Sequence, residues 1–208
     1  MGTGGVLLRR LRALVSDSPT GFVWVETGSV AGSGYPASRG QVGWLVKRGI
    51  GSILTLTEEP LPGAWTSGFA LDLGHVPIHD HQSPDADSME KAVEYILSRR
   101  KEGKAVLVHC LAGEGRTGCV LAAYLIRTRH MGADEAMGTL RSLKQEFIEH
   151  GQEGAVRGFA SGEAWRLVRP PNAHGPDDLP LQGDRLPGSH PGSRFVPWRP
   201  APRGGRRA

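Results

Sequence analysis

The sequence predicts an α/β fold: a mainly parallel central sheet flanked by helices. Three observations point there. Strand-like and helix-like segments alternate along most of the chain, the order that builds strand–helix–strand units. The run Ala105-Val106-Leu107-Val108 is apolar without alternation, as in a strand buried on both faces. A glycine-rich loop then joins that run to a helix-like segment. A functional loop is therefore expected beyond the carboxyl ends of the strands.

The elements follow in order. Residues 22–26 and 29–31 read as short strands. Residues 39–48 carry Val42, Leu45 and Val46 at helical spacing and stop at Gly49. Residues 50–57 and 74–78 read as strands. Asp87-x-x-Glu90 has the form of a capping box, opening a helix through Met89, Val93, Ile96 and Leu97 to about residue 101. Gly103 closes it. The buried strand is expected over 105–109. Helices are expected over 116–129, 133–143 and 154–166. The chain shows no internal repeat.

The loop is His109-Cys110-Leu111-Ala112-Gly113-Glu114-Gly115-Arg116-Thr117-Gly118. A strand, a tight glycine loop and a helix N-terminus together make an anion site. Backbone N–H groups of Leu111, Ala112, Gly113, Glu114, Gly115 and Arg116 would face one centre, with Gly113 and Gly115 allowing the dihedrals this needs. A thiol at such a place is driven toward the nucleophilic thiolate. Arg116 supplies a planar fork that matches two oxygens of a phosphoryl group. Thr117 is placed to hydrogen-bond the sulfur of Cys110. His109 is placed to orient the loop backbone rather than to act as a base. The chemistry implied is attack by sulfur on phosphorus, then attack by water on a phosphocysteine.

His109, Cys110, Arg116 and Thr117 match the H-C-x5-R-[ST] signature position for position, so the chain resembles the cysteine-dependent protein tyrosine phosphatase superfamily. The resemblance implies the cysteine-phosphatase fold and a metal-independent reaction needing no cofactor. It also implies an aspartate acid on an upstream loop. Val76-Pro77-Ile78-His79-Asp80-His81-Gln82-Ser83-Pro84 resembles that loop. Asp80 stands 30 positions before Cys110, like the acid of small dual-specificity phosphatases. Asp85 and Asp87 lie close by as rivals, Asp87 looking more like a helix cap. Phe147-Ile148-Glu149-His150-Gly151-Gln152 resembles the segment whose final glutamine helps to position water in those enzymes. It departs from the pattern at His150-Gly151, and Leu143-Lys144 stands near the usual Arg-Pro. Gln152 therefore stands between a water-positioning residue and a surface glutamine. Gly32-Ser33-Gly34-Tyr35-Pro36 resembles an early turn of the small VHZ-like and archaeal members. Tyr35 either lines the pocket mouth or packs. The resemblance covers residues 22–167. It implies phosphorylated protein substrates, with phosphotyrosine first and phosphoserine and phosphothreonine admitted by a shallow pocket. Phosphoinositide, inositol polyphosphate and RNA 5′-triphosphate remain competing substrates, as does a role as a phosphate-binding scaffold. Glu114 stands where a base would help to hold a polyanion, which counts against the polyanions.

Composition divides the chain. Residues 20–169 have the mixed pattern of a folded catalytic domain. Residues 1–19 form a basic extension, with Val6 to Val15 read as a frayed helix rather than a targeting segment. Residues 170–208 hold nine of the fifteen prolines and six glycines, and are read as disordered. Six Arg against three Asp make that tail basic, whereas residues 20–169 hold 16 basic and 17 acidic residues. The basic pI thus describes the extensions. The tail is read as solvated rather than as a nucleic-acid contact. No run approaches the length needed to cross a bilayer. Two cysteines, one required as a thiolate, point to the reducing cytoplasm, and a monomer is expected. Cys119 is read as a packed apolar residue. His75, His79 and His81 lack zinc spacing, so no metal is expected.

Overall fold

The computed structural model describes residues 17–80 and 82–162. The N-terminal extension up to residue 16, His81, the expected end of the last helix beyond 162 and the tail 170–208 lie outside the described residues.

Five strands form one sheet: β1 (Val23–Glu26), β2 (Val30–Ser33), β3 (Ile50–Thr55), β4 (Asp72–His75) and β5 (Ala105–His109), in the order β1-β2-β5-β3-β4. The pairs β2–β5, β5–β3 and β3–β4 are parallel, and β1 joins antiparallel at one edge. The apolar run lies at the centre, and its alternate side chains feed two cores. Val106 and Val108 pack with helices α3 (Ala86–Lys101), α4 (Gly115–Arg129), α5 (Ala133–Leu143) and α6 (Glu153–Ser161). Ala105 and Leu107 face α1 (Arg39–Lys47) and an aromatic group that includes Trp24, Trp44 and Trp65. Val106, Leu107 and Val108 are fully buried and each contributes roughly 1.5–3 kcal/mol. Helix α4 is buried without interruption from Gly115 to Leu125. Its first turn, which carries Arg116, is therefore held inside the core.

Several boundaries differ from expectation. The strand expected over 74–78 begins at Asp72, because Asp72 is held by Arg99 and Lys104 at the sheet edge. Val76 and Ile78 still donate their N–H groups to Thr55 O and Leu56 O at 3.0 and 3.1 Å, so the ladder outlasts the regular strand. Strand β3 stops at Thr55, and Leu56 N–H turns to His109 O at 2.9 Å. The capping box at Asp87 does not form. Asp85 caps α3 instead, accepting the Ser88 N–H at 2.7 Å, while Asp87 pairs with Lys91 on the surface. Pro84 ends the preceding loop, so the first residue free to start the helix is the one that caps it. The short helix α2 (Gly63–Thr66) was not foreseen.

Candidate active site

Strand β5 delivers His109 and Cys110 to the carboxyl edge of the sheet, between the ends of β2 and β3. The loop from Cys110 to Glu114 then runs into α4. Gly113 has φ +72°, and a Cβ there would lie 2.2 Å from the Ser33 backbone carbon. Both facts exclude a side chain. The Gly113 N–H points at the Cys110 sulfur, 3.3 Å away. Gly115 does not adopt a positive φ, contrary to expectation. A Cβ there would meet Gln152 Oε1 at 2.5 Å and Glu149 Oε2 at 2.8 Å, so the reason for glycine is close packing.

Arg116 is 3% exposed. Its guanidinium donates to Ile78 O at 2.8 Å, to Asp80 Oδ1 at 2.6 Å and to Glu58 Oε2 at 3.3 Å. Glu58 also accepts the Asp80 N–H at 2.7 Å. Its own backbone N–H, that of Asp80, and then Arg116 hold the Glu58 carboxyl below the usual carboxylate range. Of the three aspartates weighed from sequence, Asp80 is the one that reaches Arg116; Asp85 and Asp87 belong to α3. Glu58 escaped the sequence reading. Its signal was an acidic pair, Glu58-Glu59, just beyond a strand end.

His109 is fully enclosed. Its Nε2 meets Thr55 Oγ1 at 2.9 Å and its Nδ1 meets Cys110 O at 3.3 Å. Burial, only partly opposed by the Cys110 carbonyl, pushes its pKa down to about 4, so the ring is neutral at pH 7. Its ring thus links the first residues of the loop to β3. Thr117 Oγ1 is buried without a hydrogen-bond partner, so the expected bond to the sulfur is not made. Gln152 is 5% exposed, not a surface residue. It accepts from the Cys119 thiol at 3.6 Å and donates to Gln82 O at 3.3 Å. Gln152 thus links α4 to the segment after Asp80. Burial raises the Cys119 thiol to about 12, and both cysteines are free.

The cleft above the loop measures about 210 Å³ and is lined by Tyr35, Thr57, Glu58, Glu59, Asp80, Leu111 and Arg116. Tyr35 both lines the mouth and packs. Its ring lies edge-on to His109 at 5.5 Å and to Trp65 at 6.0 Å. His75 Nε2 donates to Thr57 O, 2.8 Å away, and so braces the turn that presents Glu58. Among the described residues, no three His, Cys, Asp or Glu side chains cluster as metal ligands.

A sulfur met by the Gly113 N–H and a buried guanidinium beside a small cleft can hold a tetrahedral oxyanion and attack it. The family described as PTP-SAK, Swiss Army Knife protein, DSP-PTPase phosphatase domain, matches residues 19–156, and the chain belongs to it. The chain is 34% identical over 114 residues to dual specificity protein phosphatase 12 of Mus musculus, covering 54% of this chain and 34% of that protein. It is 31% identical over 116 residues to phosphatidylglycerophosphate phosphatase PTPMT2 of Arabidopsis thaliana, covering 54% and 51%. The solved structure of Tk-PTP in the active form matches with a TM-score of 0.61 and 26% identity, over 67% of this chain and 95% of that one. The chain thus spans between a third and about half of these two curated relatives. The fold is the cysteine-phosphatase fold.

Proposed function

We propose that the chain is a protein phosphatase that hydrolyses phosphotyrosine, and more slowly phosphoserine and phosphothreonine, through a phosphocysteine. The observation that carries this reading is that Arg116 pairs with Asp80 at one cleft, on the loop in which the Gly113 N–H meets the sulfur of Cys110. Similarity to dual specificity phosphatases supports it.

In the first step the Cys110 thiolate attacks phosphorus and the bond to the ester oxygen breaks. Asp80 gives its proton to that leaving oxygen. Arg116 and the loop N–H groups take the charge on the equatorial oxygens. In the second step water attacks the phosphocysteine and the P–S bond breaks. The thiolate leaves, Asp80 recovers a proton from the water, and inorganic phosphate departs. Thr117, buried beside the loop with its hydroxyl unspent, is assigned to the returning thiolate, and Gln152 to the water. The reaction routes no step through a metal or cofactor.

Tyr35 and Leu111 give the cleft apolar walls suited to an aryl ring. Three carboxylates, Glu58, Glu59 and Asp80, line the cleft with the Arg116 guanidinium, which disfavours polyanions such as inositol polyphosphates, phosphoinositides and RNA 5′-triphosphate. A chemistry that needs a free thiol suits a reducing compartment, and we assign the protein to the cytoplasm, as a monomer. No helix among the described residues is long and apolar enough to cross a membrane. The folded catalytic domain is assigned to residues 20–169.

The test is a panel of initial rates on phosphotyrosine, phosphoserine and phosphothreonine peptides, phosphatidylglycerophosphate, phosphoinositides and RNA 5′-triphosphate, with and without EDTA. Phosphotyrosine peptides should lead, unaffected by EDTA and blocked by vanadate. A lead of about tenfold or more for a lipid phosphate or the RNA would overturn the assignment.

A further inference from the structure

Lys144 stands 31 positions from the loop in sequence, yet its ammonium donates to Gly113 O at 2.7 Å. Its backbone is fixed at the end of α5, where its N–H bonds Leu140 O at 2.9 Å. Its side chain runs past Gly21 and brings Nζ to 5.2 Å from the centre of the Phe147 ring. The lysine is therefore a held strut, not a loose surface cation. It pulls on a particular peptide unit. Gly113 is wedged against Ser33 and Gly34 at φ +72°, and its N–H faces the Cys110 sulfur. The next peptide joins Gly113 to Glu114. A trans peptide points its C=O and N–H in opposite directions. With the Gly113 carbonyl drawn outward to Lys144, the Glu114 N–H is turned the other way. At a glycine with positive φ the alternative orientation of that peptide is sterically open, so something must choose between the two.

We propose that Lys144 is a positioning residue of the oxyanion loop. It holds the Gly113–Glu114 peptide with its carbonyl outward, so that the Glu114 N–H joins the donors that receive the phosphoryl oxygens. The ammonium touches neither substrate nor sulfur. A charge-assisted hydrogen bond suits the task, since it resists the competing orientation more strongly than a neutral one. This inference rests on the cysteine-phosphatase reading.

The experiment compares wild type, Lys144→Met and Lys144→Arg by vanadate and inorganic phosphate inhibition, by kcat and KM on an aryl phosphate, and by melting temperature. Lys144→Met keeps the length of the side chain without its charge. It should retain a cooperative melt, weaken vanadate inhibition roughly tenfold and lower kcat/KM at least as much, as expected when one donor to an oxyanion is misplaced. Lys144→Arg, still able to donate to the carbonyl, should restore most of both. The proposal falls if Lys144→Met binds vanadate as wild type does. It also falls if the loss in Lys144→Met is matched in Lys144→Arg, or if Lys144→Met does not fold, since the contact would then be structural. A wild type that neither binds vanadate nor turns over the aryl phosphate would overturn the cysteine-phosphatase reading itself.

Discussion

His109 lies wholly enclosed under the loop, with a pKa of about 4 against roughly 6.5 in an unfolded chain. Between these values the unfolded chain binds the proton and the folded one does not. Stability is therefore complete above about pH 6.5 and is lost as pH falls toward 4, by on the order of 3 kcal/mol. Denaturant unfolding at pH 7 and pH 5 should show the loss, and His109→Gln should flatten it. An equal slope in the variant would place the pH dependence elsewhere. Asp80 carries a different expectation. Asp80→Asn should slow phosphotyrosine and phosphoserine peptides by ~10²–10⁴-fold, and p-nitrophenyl phosphate less, because its leaving group needs no proton. Asp85→Asn serves as the control, since Asp85 caps α3. If Asp85→Asn shows the leaving-group dependence and Asp80→Asn does not, the acid is misassigned. The loop residues were legible in sequence because their chemistry demands fixed types at fixed spacing. Glu58 and Lys144 were not, because they meet the loop only through the fold, 58 and 31 positions from their partners.

At the scale of elements, β5, α1 and α5 could be read directly, since apolar runs and helical spacing survive in their sequences. Strand β4 could not. It is an edge strand of alternating burial, with Leu73 half exposed and a polar first residue whose partners lie on and just beyond α3. The turn after α5 was equally hidden. Ile148 adopts φ +64°, uncommon for a β-branched residue, and Arg141 holds it by donating to Phe147 O and Ile148 O while pairing with Glu153. The same turn packs into α4 at Gly118, where a Cβ would lie 2.5 Å from the Ile148 nitrogen. Glycine substitutions should separate the two kinds of position. Gly113→Ala should cost about 2 kcal/mol or more and most of the activity, because it adds both a clash and an unfavourable φ. Gly138→Ala, in an open position on α5, should stabilise by roughly 0.5–1 kcal/mol. Denaturant midpoints of the two variants decide it, and a tolerated Gly113→Ala would contradict the geometry of the loop.

At the scale of the whole molecule, the fold class followed from strand–helix alternation and the central apolar run. Deletion after Arg169 should leave melting temperature and aryl phosphatase activity nearly unchanged, as a catalytic domain of residues 20–169 requires. A large fall in melting temperature would show that the tail contributes to the folded domain. The central claim is that sulfur at Cys110 carries the phosphoryl group between the two half-reactions. Its most direct measurement is a rapid acid quench during turnover of an aryl phosphate, followed by mass spectrometry of the peptide that holds Cys110. Wild type should carry a phosphate adduct on Cys110. Cys110→Ser should show neither adduct nor turnover, yet still bind vanadate. Turnover by Cys110→Ser within about tenfold of wild type would contradict the central claim.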